Sequence, residues 1–141
     1  DAPCSGLGTL RRNPDLKWRQ SPQSIEELKV KQAAILAAAA GLLKPGGRLV
    51  YATCSFLPEE NEIIIQDFLD QHPQFSLLNC SELFSQQKIA VNTGKFLQLS
   101  PQTHQTDGFF AAALTRTKEI NSKEQPAEAT PIDVEKNETE N

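Results

Sequence analysis

Methionine is missing from all 141 residues, and tryptophan and tyrosine occur once each. A chain that began at its own translation start would carry methionine first. Here Asp1-Ala2-Pro3-Cys4 already reads as the carboxyl end of a strand entering a loop. The expectation is a C-terminal part of a longer protein. No apolar run approaches the roughly 20 residues of a transmembrane helix, so no membrane partner is expected. The three cysteines are an odd number without C-x-x-C spacing. That argues against a disulfide framework or a metal centre and points to a reducing, cytoplasmic setting. His72 and His104 form no protease-like pattern with a cysteine. Lys44-Pro45-Gly46-Gly47 lacks the G-x-G-x-x-G spacing and a preceding strand, and reads as a helix-to-strand turn. No internal repeat is present.

The formal net charge of −4 is unevenly placed. From Thr117 onward three lysines face seven carboxylates, whereas residues 1–116 carry 11 groups of each sign. The tail is rich in Glu, Lys, Asn, Thr and Pro and has no aromatics, which predicts an acidic disordered segment over 117–141. Residues 1–116 then form the folded part.

Within that part, Pro3, Gly6 and Gly8 limit regular structure over residues 1–9, and Leu10–Pro22 reads as irregular and basic. Ser24 with Glu27 three residues on predicts a capping box. The helix after it is expected to present Leu28, Ile35, Leu36, Ala39 and Leu42 on one stripe. Arg48–Thr53 reads as a strand. Pro58-Glu59-Glu60 is expected to open a second helix, its carboxylates at the favourable N-terminal end. Ile64, Ile65, Phe68 and Leu69 form that helix's buried face. Phe75–Leu78, Phe96–Leu99 and Phe109–Leu114 are candidate strands, and the last is introduced by Asp107-Gly108. This order predicts an α/β sheet that finishes with an antiparallel pair.

Cys4-Ser5 and Cys54-Ser55 each stand where a strand is expected to end. In an open α/β sheet, ligands collect beyond the carboxyl ends of the strands. Two thiols there point to a site that makes and breaks a covalent bond to carbon. Cys80 has no motif around it.

Several ordered blocks carry a resemblance: Asp1-Ala2-Pro3-Cys4-Ser5-Gly6, Arg12-Asn13-Pro14-Asp15-Leu16-Lys17-Trp18, Lys44–Gly47, Tyr51-Ala52-Thr53-Cys54-Ser55, Pro58-Glu59-Glu60-Asn61-Glu62 and Asp107-Gly108-Phe109-Phe110. In this order they resemble the Sun/Fmu-type RNA cytosine-5 methyltransferases of the Nop/Sun group. The resemblance covers residues 1–116 and implies the C-terminal half of a Rossmann-like class I methyltransferase sheet. It implies S-adenosylmethionine as cofactor, Asp1 at the donor site, Cys54 as the nucleophile and Cys4 as the residue that helps resolve the covalent adduct. The implied partner is RNA, ribosomal RNA first. Arg11, Arg12 and Lys17, with Trp18 as a stacking surface, are the candidate RNA contacts. The glycine-rich loop and acidic strand ends that hold most of the donor are not among these residues. The rival reading is a non-catalytic RNA- or protein-binding module that retains the fold.

Overall fold

A computed structural model describes residues 1–118. The acidic tail expected from residue 117 lies, beyond Lys118, outside the described residues. Helices α1 (Leu16–Arg19) and α2 (Pro22–Gly41) lead into strand β1 (Arg48–Thr53). Then follow α3 (Glu62–Gln71), β2 (Phe75–Leu78), α4 (Cys80–Gln86), β3 (Leu97–Leu99), α5 (Pro101–His104) and β4 (Phe109–Arg116). Short 3-10 turns occupy Leu7–Thr9 and Pro58–Glu60.

Helix α2 begins earlier than Ser24. Ser21 is its N-cap: its extended backbone and hydroxyl meet the Ser24 N–H, while the Ser24 hydroxyl accepts from the Ser21 N–H, and Pro22 fills the first helical position. Proline is favoured there because its missing N–H would have no helical partner anyway. The buried row is Gln32, Leu36 and Ala40, spaced by four, with Leu28 half-buried one turn before. Ile35 and Leu42 of the expected stripe are instead 47% and 88% exposed. The apolar pattern misleads because the central position of the real stripe is a hydrogen-bonded glutamine. The stretch expected to be irregular holds α1, and the second helix begins at Glu62, since Pro58–Glu60 is a separate turn. Ile64, Ile65 and Phe68 are buried as expected, with Leu69 half-buried.

Strand β4 organises the sheet. It pairs antiparallel with β1 from Arg48↔Thr115 to Thr53↔Phe110. Along its other edge it pairs antiparallel with β2 and then β3. The expected antiparallel finish is thus extended to three partners of one strand. Strands β1 and β2 run parallel to each other with β4 between them. The face bearing Tyr51, Phe110, Ala112 and Leu114 packs with Leu36, Ile64, Ile65 and Phe68 of α2 and α3 to form the core. On the opposite face, Leu83 and Phe84 of α4 line a cavity of about 240 Å³ with Val50 and Ala113. The Lys44–Gly47 turn is pinned to the end of β4, Gly46 N–H to the Arg116 carbonyl at 2.8 Å and Arg116 N–H to the Gly47 carbonyl at 3.0 Å. That fixes the amino end of β1; its carboxyl end is held by the pairing of Thr53 with Phe110, and Cys54 follows it directly.

Candidate active site

Residues 1–6 form no strand; Ala2 N–H donates to the Ala52 carbonyl at 2.9 Å. The loop then runs beside the end of β1 until Gly8 N–H reaches the Cys54 carbonyl, also at 2.9 Å. These two bonds lay residues 2–8 along residues 52–54, and the two cysteines come together. Cys4 Sγ and Cys54 Sγ are 3.3 Å apart. Glycine at position 8 is a steric requirement. A Cβ there would sit 2.6 Å from the Cys54 carbonyl oxygen and collide with the Gly108 carbonyl. Gly108 N–H donates in turn to the Gly8 carbonyl at 2.7 Å, so the loop before β4 closes on the same junction.

Beneath the sulfurs lies a buried polar cluster that the sequence did not announce. Glu60, expected among the carboxylates at the start of a helix, has no exposed surface at all. Its carboxylate accepts from the Ser5 N–H at 2.8 Å, the Ser5 hydroxyl at 2.7 Å, the Ser55 hydroxyl, and the Gln32 side-chain amide at 3.2 Å. The Gln32 amide also donates to the Pro3 carbonyl at 2.9 Å, so α2 holds the loop just before Cys4. Asn61 donates to the Ser55 carbonyl at 2.8 Å and accepts from the Thr53 hydroxyl at 2.5 Å. The buried Tyr51 hydroxyl, its ionisation pushed up by desolvation, donates to the Glu60 carbonyl at 2.7 Å. The only local signal for this cluster is Pro58-Glu59-Glu60-Asn61 following Cys54-Ser55 at close spacing; which glutamate turns inward depends on the 3-10 turn.

Burial, and then the hydrogen bond with Cys54, push the Cys4 thiol up to about 11. Cys4 is therefore a neutral hydrogen-bond donor at physiological pH. Because its folded-state value lies above the ordinary 9.0, the neutral thiol favours the folded chain below about pH 9, and this contribution is lost as pH rises toward 11. Iodoacetamide followed by peptide mass spectrometry should find Cys4 labelling still climbing about tenfold per pH unit between pH 9 and pH 11. Cys4 labelling that levels off by pH 9 would contradict the raised value.

Of the candidate RNA contacts, Arg12 is engaged: its guanidinium pairs with Asp107 at 2.6 Å and 2.7 Å, bridging the loop after Cys4 to the loop before β4. The hydrogen bond from Arg12 draws the Asp107 carboxyl below its usual range, and Asp107 raises the Arg12 guanidinium in turn. Arg12 also feels the sulfur of Cys54, though less than Asp107. Arg11 is exposed and lines a cavity of about 310 Å³ with Leu7, Phe56, Leu99 and Pro101. Lys17 lies over the ring of Trp18, which is 82% exposed. Asp1 is exposed at the edge beside Ala2. Cys80 is buried at the start of α4, away from the paired thiols. His72 stacks on Phe68, and His104 Nδ1 accepts from the Ser100 N–H, so both rings are engaged outside the sulfur pair.

A family model described as 16S rRNA methyltransferase RsmB/F matches residues 1–115. The chain is 43% identical over 116 residues to the ribosomal RNA small subunit methyltransferase B of Erwinia tasmaniensis, covering 82% of this chain and 25% of that protein. It is 37% identical over 127 residues to the ribosomal RNA small subunit methyltransferase F of Klebsiella pneumoniae, covering 89% and 27%. Among solved structures, NSun6 from Pyrococcus horikoshii with SFG superposes at a TM-score of 0.68 and 31% identity, covering 84% of this chain and 29% of that one. The chain spans about a quarter of the length of the curated relatives it matches.

Proposed function

The chain belongs to the 16S rRNA methyltransferase RsmB/F family, and from that premise we propose that it supplies the thiol half of an RNA cytosine-5 methyltransferase active site. Residues 1–116 are read as the C-terminal half of the catalytic domain, with small-subunit ribosomal RNA as substrate. The observation that carries this reading is the 3.3 Å approach of two sulfurs brought from separate segments to the end of one strand.

Carbon 5 of cytosine is a poor nucleophile inside an aromatic ring. The Cys54 thiolate adds to carbon 6, forming a C–S bond and moving an electron pair to carbon 5, which can then accept a methyl group. Loss of the proton from carbon 5 to base or solvent frees the C–H bond pair, which re-forms the double bond between carbons 5 and 6 as the C–S bond breaks and the thiolate leaves with its own pair. The neutral Cys4 thiol is placed to donate a hydrogen bond to the departing sulfur. Charge-assisted hydrogen bonds of this kind are about twice as strong as neutral ones, so the leaving group is stabilised as its charge develops. To reach a thiol in this crevice the target base has to leave its stack.

S-adenosylmethionine supplies the electrophilic methyl group when bound. SFG is an analogue of it, which supports its use in the family. The residues present fit one edge of that donor: the exposed Asp1 carboxylate beside Ala2 is able to pair with an amino group, while a glycine-rich loop after a strand is not among them. Arg11 and Lys17 are exposed and able to meet phosphate, whereas Arg12 is better read as bracing the site through Asp107 while its side chain stays 63% exposed.

The test uses RNA tritiated at cytosine carbon 5 and an enzyme in which this chain is joined to a donor-binding half. Tritium release should equal methyl incorporation. Methyl gain with the tritium retained would place the acceptor atom elsewhere and overturn the assignment.

A further inference from the structure

Glu60 has no part in the chemistry described so far, yet it is the most enclosed charged side chain near it. Taking a carboxylate out of water costs several kcal/mol unless its oxygens are well satisfied. Here they are satisfied by four hydrogen bonds from neutral donors, and among the described residues no Lys, Arg or His forms an ion pair with it. An apolar residue on this turn would fill the same space without that desolvation cost. The distribution of the donors gives the reason for a carboxylate. One serine follows Cys4 and the other follows Cys54, and both hydroxyls converge on the same oxygen, Oε2. The Ser5 N–H and Gln32 share Oε1. The serine hydroxyls also lie 3.3 Å from each other, the separation found between the sulfurs one residue earlier.

We infer that Glu60 is a positioning residue: through Ser5 and Ser55 it clamps the Cys4 loop to the Cys54 loop and sets the distance between the two sulfurs. This deepens the proposed reading and rests on it for its catalytic consequence, but the clamp itself is a geometric property of the chain. Two sulfurs on flexible loops would share a site only part of the time. Buried polar groups with satisfied hydrogen bonds restrict such motion to one arrangement; both Glu60 oxygens are satisfied here, while Gln32 Oε1 in the same cluster has no partner among the described residues. A misplacement of about 1 Å is enough to cost on the order of 10²-fold in rate.

The test measures sulfur proximity without reference to methylation. In the 141-residue chain, diamide oxidises two neighbouring thiols to a disulfide and is itself reduced to the hydrazine. The rate of Cys4–Cys54 bond formation reports how often the sulfurs meet. Glu60→Ala and the Ser5→Ala/Ser55→Ala double variant should each slow this rate at least about tenfold. Glu60→Gln, which keeps the shape and the Oε1 acceptor, should recover part of it. The serine variant removes only two hydroxyls, so it decides the matter if Glu60→Ala does not fold. In an enzyme containing the chain, the serine variant should lower kcat with KM within about twofold of the parent. A folded serine variant that forms the disulfide at the parental rate would overturn the clamp. If instead the disulfide slows but Cys54→Ala leaves methylation intact, the clamp stands and the catalytic reading falls.

Discussion

Cys54→Ala is expected to lower methyl transfer by about 10⁴-fold or more in an enzyme that contains this chain, since removing an attacking nucleophile has effects of that order or larger elsewhere. This corresponds to about 5 kcal/mol of lost transition-state stabilisation. The substitution should leave the fold in place. The contact that holds residue 54 to the Cys4 loop is its backbone carbonyl, which accepts from Gly8 N–H whatever the side chain. Circular dichroism and the melting temperature, read beside the methylation rate, separate lost chemistry from lost structure. A folded variant with full activity would remove Cys54 as the attacking nucleophile.

Cys4→Ala should give the opposite pattern for the covalent intermediate. Methyl transfer to carbon 5 still proceeds, because Cys54 and its surroundings are intact. Departure of the sulfur slows, because the neutral thiol that hydrogen-bonds it at 3.3 Å is gone. Turnover should fall about 10²-fold or more, the scale on which a positioned proton donor contributes. An RNA–protein adduct should accumulate that survives a denaturing gel and carries the transferred methyl group. No adduct, with turnover unchanged, would remove Cys4 from the release step.

The two cysteine positions were legible because the features that place them are local. Arg48–Thr53 lies between a Pro-Gly-Gly turn and a proline-led turn, and the observed strand has those limits. The buried face of α3 was equally plain from its spacing. What failed was local in appearance and tertiary in cause. Ser24-x-x-Glu27 satisfies a capping pattern, but Ser21-Pro22 three residues earlier satisfies it with the preferred proline. Ser100-Pro101 starts α5 in the same way, with the Ser100 hydroxyl accepting from the Thr103 N–H. Gln32 breaks the apolar stripe of α2, so apolar spacing alone predicts Ile35 and Leu42 inside where they lie outside. Glu60 is the largest omission. A glutamate after Pro58 reads as a helix start, and its burial becomes visible only once Ser55 and the distant Ser5 are brought against it.

Arg12 shows the same limit from the charged side. Its place in a basic run suggested a phosphate contact, yet its partner Asp107 is 95 residues away in sequence. Spacing within the run could not reveal that pairing.

The most direct measurement is mechanism-based trapping. An RNA substrate carrying 5-fluorocytosine at the target site has no removable proton on carbon 5, so once the methyl group is added the C–S bond cannot break and the enzyme stays attached. Proteolysis and mass spectrometry of the trapped complex should find the nucleotide on the peptide holding Tyr51-Ala52-Thr53-Cys54-Ser55, bonded to the sulfur of Cys54. Attachment at Cys4 or Cys80, or no attachment by an enzyme that methylates the unmodified RNA, would contradict the account.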